Sequence, residues 1–280
     1  MYALKIHLTL FLTIIITFLG CSQKEKSLLQ QIRSFDDAMG LIQIKTDSIY
    51  NSNQSISLLV MPKKLLQTYQ IEFGYSQKDL KKTSTFAKNK NAFAAINGGF
   101  FNMDNGGSAT YFESNDSVIN YSRDPKLKWG IKTNIVNGAI VINKEAEILI
   151  QAAHTQPFYE SSKEETAVLI TGPLLLIDSQ KMKLPNLKFS NKRHPRTCLC
   201  MNKNDIIFIT IDGRQKEAQG MNLVEVQQFL QSIGCTDAIN LDGGGSTTMW
   251  MKNKGIINHP SDKAGERPVA NVLLIVPNEK

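Results

Sequence analysis

The chain is poor in the residues that build common metal and redox sites: four cysteines and four histidines occur in 280 residues. After Cys21 the cysteines are Cys198, Cys200 and Cys235, an odd number. Cys198 and Cys200 alternate along "RTCLCMN", which reads as a strand, so they point to one face and are poorly placed to bond each other. A disulfide from one of them to Cys235 is open in an oxidising compartment; buried free thiols are the expectation. His154, His194 and His259 lack paired ligand spacing, which argues against zinc. No P-loop lysine pattern and no G-x-G-x-x-G opening a helix is present, so the usual phosphate cradles are missing. The lack of G-x-S-x-G argues against Ser246 as a nucleophile. No repeat and no low-complexity block divides the chain, which predicts one domain. Excess charge is mild, +7 formally. The lysines are scattered ("PKK", "KNKNK", "NKRHPR") with no aromatic-interleaved basic stripe, so nucleic acid is not an expected partner.

What is present begins with an address. "MYALKIHLTLFLTIIITFLGC" carries Lys5 and His7 before an apolar run from Leu8 to Leu19, then stops at Gly20-Cys21. That run is shorter than the ~20 residues that span a bilayer. It reads as a secretory signal over residues 1–20 ending in a lipobox-like "FLGC", with Cys21 as the lipidated first residue of the mature chain. Lys5 is the only charge removed with it, so +7 becomes +6. "SQKEKS" then reads as part of a polar tether over residues 21–30. The expected location is the bacterial cell envelope, at the outer membrane or periplasmic face, with the membrane a partner through Cys21.

Residues 31–280 are ample for a sizeable core. Residues 41–60 alternate apolar and polar and break at "NSNQS", predicting two strands of a hairpin. A short helix is expected around 79–90, then an apolar strand Phe93–Ile96. "AVLITGPLLLI" and "TCLCMNKNDIIFITIDGR" read as central strands, and "RPVANVLLIV" as the last one. In "MNLVEVQQFLQSI", Leu223, Val226, Phe229, Leu230 and Ile233 share a helical face, and Gly234 ends it. The fold class is α+β: a strand-rich single domain with mixed or antiparallel sheets and a few packed helices.

Three loops share a design in which an apolar strand runs into a polar residue and glycine: "AAINGGFFN", "ITIDGRQKEAQG" and "AINLDGGGSTTM". They place Asn97, Asp212 and Asp242 beside exposed backbone, where glycine permits sharp turns and close approach. Three such loops argue for a common site. Aspartates next to backbone carbonyls leave calcium open, although no EF-hand pattern appears; no metal and no cofactor is expected.

The motifs "INGGFF", Gly172-Pro173, "RHPRT", "IDGR", "GMNLVEVQQFL", "AINLDGGGSTTM" and "RPVANVLLIV", in this order, resemble the phosphodiester glycosidase family over about residues 90–277. Residues 31–90 match nothing so distinctive. The resemblance implies cleavage between a sugar's anomeric carbon and a phosphodiester oxygen, as in an N-acetylglucosamine-1-phosphodiester, with a phosphoglycan or sugar phosphate as partner. A departing phosphate monoester has its second pKa near ~6, so it can leave with little protonation if its charge is held. Arginine does this best. Arg196 is therefore expected as the phosphate clamp, with the N–H groups of Gly243, Gly244 and Gly245 as further donors. His194 would assist, and Arg193 and Arg214 are weaker candidates. For the sugar, Asp242 is the first choice of catalytic carboxylate and Asp212 the second, while Glu225 enters by the likeness alone. Asn97, Gly98, Gly99, Thr197, Asn240, Ser246 and Thr247 are expected to bind substrate. Whether two carboxylates stand ~5–5.5 Å apart or ~6.5–9.5 Å apart, and hence retention or inversion, is open. Two other readings stay open as well: an envelope lipoprotein that binds glycans without cutting them, and a metal-dependent phosphodiesterase that breaks P–O.

Overall fold

The computed structural model describes residues 13–16 and 21–278. Most of the expected signal segment therefore lies outside the described residues. Its residues Thr13–Ile16 form a short strand that pairs in parallel with Gly40–Thr46. Every other strand pairing among the described residues is antiparallel.

Three sheets make up the domain. The largest runs, edge to edge, Thr13–Ile16, Gly40–Thr46, Gln54–Pro62, Asp205–Ile211, Arg196–Met201, Asp237–Asn240, Leu174–Ile177 and Gln180–Lys181. A second contains Ser117–Asn120, Phe112–Ser114, Glu165–Thr171, Gly138–Asn143 and Ile148–Ala152. The third contains Gly255–Ile256, Met249–Met251, Ala94–Asn97, Asn271–Pro277 and Tyr69–Tyr75. The expected strand-rich α+β domain is what forms.

The central strands of the large sheet are apolar at nearly every position because both faces are covered. Leu59, Leu199, Ile206 and Phe208 face a core shared by all three sheets, joined there by Ile96, Phe112, Leu169 and Leu273. Their neighbours Leu58, Cys198, Cys200, Ile207 and Ile209 face the opposite side, where helices pack. The period of two thus assigns alternate residues of one strand to two different cores.

Two helices cover that second face. Leu223–Ser232 begins with a capping box: Asn222 Oδ1 accepts from the Glu225 N–H at 2.9 Å and Glu225 Oε2 accepts from the Asn222 N–H at 3.0 Å. Leu223, Val226, Phe229, Leu230 and Ile233 are all buried, as their spacing predicts. Gly234 closes the helix at φ +81°, a conformation that costs other residues strain. The second helix, Cys21–Ser34, covers the stretch expected as a tether. Its Leu28 and Ile32 are buried in the second core, so packing begins before residue 31. The short helix expected around 79–90 is Thr83–Asn89.

The expectation of free thiols is corrected for two of the three cysteines. Cys200 and Cys235 form a disulfide, with Cα atoms 5.8 Å apart. It ties the strand Arg196–Met201 to the segment after the capped helix. Cys198, on the same strand face, remains a buried thiol, and burial pushes its pKa up to about 12.

Candidate active site

Two of the three glycine loops are joined through one buried asparagine, which also ties them to the strand Arg196–Met201. Asn97 ends the strand Ala94–Asn97 and has no exposed surface. Its Nδ2 donates to the Asp242 carbonyl at 2.7 Å. Its Oδ1 accepts from Thr197 Oγ1 at 2.7 Å and from the Thr248 N–H at 3.1 Å. The Asp242 N–H in turn donates to the Gly98 carbonyl at 3.0 Å. Three strand ends are thereby fixed around the segment 242–248.

This bracing places several of the expected substrate ligands inside the loop's own hydrogen-bond network. Asn97 and Thr197 bond to each other, and Asn97 bonds also to the loop. The N–H groups of Gly98 and Gly99 donate to the backbone and side-chain carbonyls of Asn271, at 2.9 and 2.7 Å. Asn240 is fully buried, its Nδ2 donating to the carbonyls of Gly172 and Leu241 at 2.9 and 2.6 Å. Ser246 and Thr247 are buried too, and do not line the cleft beside Asp242.

That cleft has a volume of about 230 Å³. Its walls are Phe189, His194, Pro195, Arg196, Arg214, Arg267 and the run Asp242–Gly245. Asp242 is the sole carboxylate among these residues, facing three guanidinium groups. Burial raises its pKa to about 6; the Ser246 hydroxyl, which approaches without an aligned hydrogen bond, opposes the shift, as do Arg267, the Gly243 N–H and Arg214. Asp242 therefore titrates close to neutrality, where acid–base groups work best. His194 also lines the cleft; burial and then the charges of Arg196, Arg214 and Lys192 hold its pKa below the usual histidine range. Its Nδ1 lies 3.4 Å from Arg214 Nη2.

Arg196 is 1% exposed, and no carboxylate lies within ion-pair distance of it among the described residues. Its guanidinium lies over the Phe189 ring, 5.0 Å from the centroid. Burial lowers its pKa to about 10. Nε donates to the Met221 carbonyl at 2.9 Å, and Nη2 to those of Phe189 and Lys192 at 2.7 and 3.0 Å. The two-pronged edge expected to grip a phosphate is thus occupied, which leaves Nη1 and the charge itself for a ligand. A buried cation without a counter-charge is costly, and an anion in the cleft would relieve that cost.

Asp212 and Glu225 do not join Asp242. Asp212 accepts from Ser55 Oγ at 2.8 Å, Asn258 Nδ2 at 3.0 Å and the His259 N–H at 3.0 Å. It lines a separate cleft with Gln43, Lys45 and His259. Burial raises its pKa against the pull of these donors. Glu225 is held by Arg193, whose Nε reaches both carboxylate oxygens at 3.0 Å and whose Nη2 reaches Oε1 at 2.6 Å. With the helix cap added, that carboxylate has no remaining work at the cleft. A pair of carboxylates flanking one bond is therefore not formed by Asp242 with either residue.

Of the three loop glycines, Gly244 donates its N–H to the Pro195 carbonyl at 2.9 Å. The N–H groups of Gly243 and Gly245 have no aligned protein acceptor among the described residues, although that of Gly243 lies close enough to favour the Asp242 carboxylate. Sequence reasoning missed Arg267, although it lies in the quoted "RPVANVLLIV", because that stretch was read only as a strand. Asp262, which binds Arg267, carried no motif at all.

A family model described as "Phosphodiester glycosidase" matches residues 90–276, about two thirds of the chain. The chain belongs to the phosphodiester glycosidase family. All the residues of the Asp242 cleft fall within the matched region. The N-acetylglucosamine-1-phosphodiester alpha-N-acetylglucosaminidase of mouse is 30% identical over 179 residues, covering 60% of this chain and 33% of that protein. The human protein of the same name is 29% identical over 179 residues. The chain thus spans about a third of the length of these curated relatives. Among solved structures, the zebrafish catalytic domain of that name, auto-inhibited by its pro-peptide, superposes with a TM-score of 0.64 at 21% identity, over 86% of this chain and 82% of that one. At that identity the superposition establishes the shared fold.

Proposed function

We propose that this protein hydrolyses the glycosidic bond of a sugar-1-phosphodiester, of the N-acetylglucosamine-1-phosphodiester kind, releasing free sugar and a phosphomonoester. The observation that carries this reading is one carboxylate, Asp242, in a cleft walled by three arginines. An ordinary glycoside leaves as an alkoxide and needs a second carboxyl group to protonate it. A phosphomonoester needs none, because its second pKa is near ~6 and nearby cations can hold its charge. In this reading the C1–O bond to phosphate breaks with its electron pair leaving on the phosphate oxygen, water adds its hydroxyl at C1 and gives up one proton to the phosphomonoester or solvent, and the ionised Asp242 stabilises the oxocarbenium-like transition state. Arg196 and Arg214 favour the departing phosphate through charge. Neutral His194 and the Gly245 N–H are further polar groups at the same wall.

The test is hydrolysis of α- and β-linked sugar-1-phosphodiesters in ¹⁸O water, followed by NMR and mass spectrometry. Free sugar with ¹⁸O at C1 is expected. Label in the phosphate would mean P–O cleavage and would sink the reading, as would substrate binding with no turnover across the panel.

We propose also that Cys21 carries a lipid and anchors the protein in a bacterial cell envelope, on the strength of "FLGC" alone. Radiolabelled fatty acid should enter the wild-type chain and not Cys21→Ser; equal labelling of both would remove the anchor.

A further inference from the structure

We propose that Gly245 is glycine because a charged pair rests on it, and that Arg267, held there by Asp262, is a contact for the anionic group in the cleft. Asp262 is its positioning residue. The inference deepens the phosphodiester reading and rests on it for the identity of the anion.

The argument starts from the space around each glycine of the loop. Gly244 has φ +62°, which by itself favours glycine. A Cβ there would also meet Arg214 Nη2 at 2.9 Å. Gly245 has no such backbone demand, so only its surroundings can require glycine. A Cβ on it would fall on Arg267 Nη2 and Asp262 Oδ1. The loop thus has no side chain at the two places where guanidinium groups lie against it.

The arginine seated on Gly245 is fixed on both sides. Asp262 Oδ2 accepts from Arg267 Nε at 2.7 Å and Oδ1 accepts from Nη2 at 3.0 Å, a two-point grip along one edge of the guanidinium. Such planar pairing fixes orientation as well as position. The backbone around Arg267 is fixed too. Glu266 accepts from the Ser84 N–H and Oγ, both at 2.6 Å, and Val269 exchanges backbone hydrogen bonds with Lys81 at 3.0 and 2.8 Å. The Asp262 carbonyl receives the Gly265 N–H at 2.8 Å, closing the turn that presents the carboxylate. Arg267 lines the cleft together with Asp242, and its Nη1 is not used by Asp262. Asp262 holds the Nε edge, so Arg267 is ion-paired to Asp262 and acts on Asp242 through its charge. In the proposal the carboxylate and the cation serve different parts of a sugar phosphate.

The test uses inorganic phosphate as the probe and the affinity of purified protein for it, by calorimetry, as the readout. Arg267→Ala is expected to weaken phosphate binding about tenfold or more, the usual worth of a charge-assisted contact. Gly245→Ala and Asp262→Ala should each weaken it as well, since each displaces the arginine. Neither should weaken it further once Arg267 is already alanine, a non-additivity that residues sharing one function display. If Gly245→Ala or Asp262→Ala keeps its full cost in the Arg267→Ala background, the glycine or the aspartate serves something other than the arginine, and the proposal falls. Unchanged phosphate affinity in Arg267→Ala, or no phosphate binding by the wild type, overturns it equally. Melting temperatures confirm that each variant is folded. Hydrolysis is scored separately: Arg267-dependent phosphate binding without turnover of any sugar-1-phosphodiester would sink the glycosidase reading and keep the clamp. Turnover with Arg267-independent phosphate binding would do the reverse.

Discussion

Asp212 and Asp242 stand in nearly the same local sequence, "TIDG" and "NLDG", each at the end of a buried strand of the same sheet. Asp212 has three well-aligned donors, from Ser55, Asn258 and the His259 backbone. Asp242 has no aligned side-chain donor, and faces a cleft of arginines. The first carboxylate holds a loop in place and the second is left with reactive capacity. An aspartate before glycine after a strand is therefore ambiguous until its donors are counted, and the donors come from remote parts of the chain.

The strongest way to break this comparison is to exchange charge for amide at each site. Asp242→Asn should lower kcat on a sugar-1-phosphodiester by about a thousandfold, within the range for loss of an acid–base or nucleophilic group. It should also leave the melting temperature unchanged or higher, because a buried charge is removed. Asp212→Ala should do the opposite. It strands three donors and should cost about 2–4 kcal/mol in denaturant unfolding, with kcat changed only a few-fold. A collapse of kcat in a stably folded Asp212→Ala would put that residue back among the catalytic groups.

Acidity sharpens the same contrast. With its pKa raised to about 6, Asp242 loses its charge as pH falls below 6, so kcat should drop on the order of tenfold per unit there. The sign for stability is the reverse. The folded pKa lies above the unfolded value of 3.8, so between these values the native state holds more protons. Stability should therefore fall, on the order of 1–3 kcal/mol, as pH rises from about 4 to about 6. Unfolding titrations of wild type and Asp242→Asn should differ in this window, and parallel curves would contradict the assignment. The smallest effect is expected at Glu225→Gln. It weakens the Arg193 pair and one arm of the helix cap, for about 0.5–2 kcal/mol by denaturant unfolding, and leaves kcat within a few-fold.

Much of the fold was legible because burial imposes a period. The helix over Leu223–Ser232 and its terminal Gly234 follow from spacing and cap chemistry alone, and the structure has them where the pattern puts them, adding Asn222 as the cap at its start. The strand runs at 165–177 and 196–211 were equally readable, since strands buried on both faces are apolar throughout. The helix Cys21–Ser34 was not legible in the stretch expected as a tether, because residues 21–30 are rich in charged and polar residues and the docking Leu28 and Ile32 leave a weak pattern. The Cys200–Cys235 bond was a pairing that spacing allowed and could not select, because it depends on where a loop after a helix returns to the sheet.

At the site, residue type identified the loops and could not show how their polar atoms are paired. Asn97, Thr197, Asn240 and the "NGG" amides have the chemistry of ligand groups, and the structure gives each of them a bond that holds the loop, while Asn240 Oδ1 stays without a partner. Arg196 has the chemistry of a phosphate fork, yet its fork is filled by three carbonyls. Local sequence by itself determined the elements, the glycine-rich strand ends and the resemblance to the family. Only the tertiary structure decided that Arg214 and Arg267 lie on the loop glycines, that Asp212 and Glu225 face elsewhere, and that Asp262 orients a cation at the cleft. The physical reason is that periodicity and turn chemistry act over a few residues, whereas a polar group's role is set by which donors and acceptors meet it, and those are supplied by segments far apart in the chain.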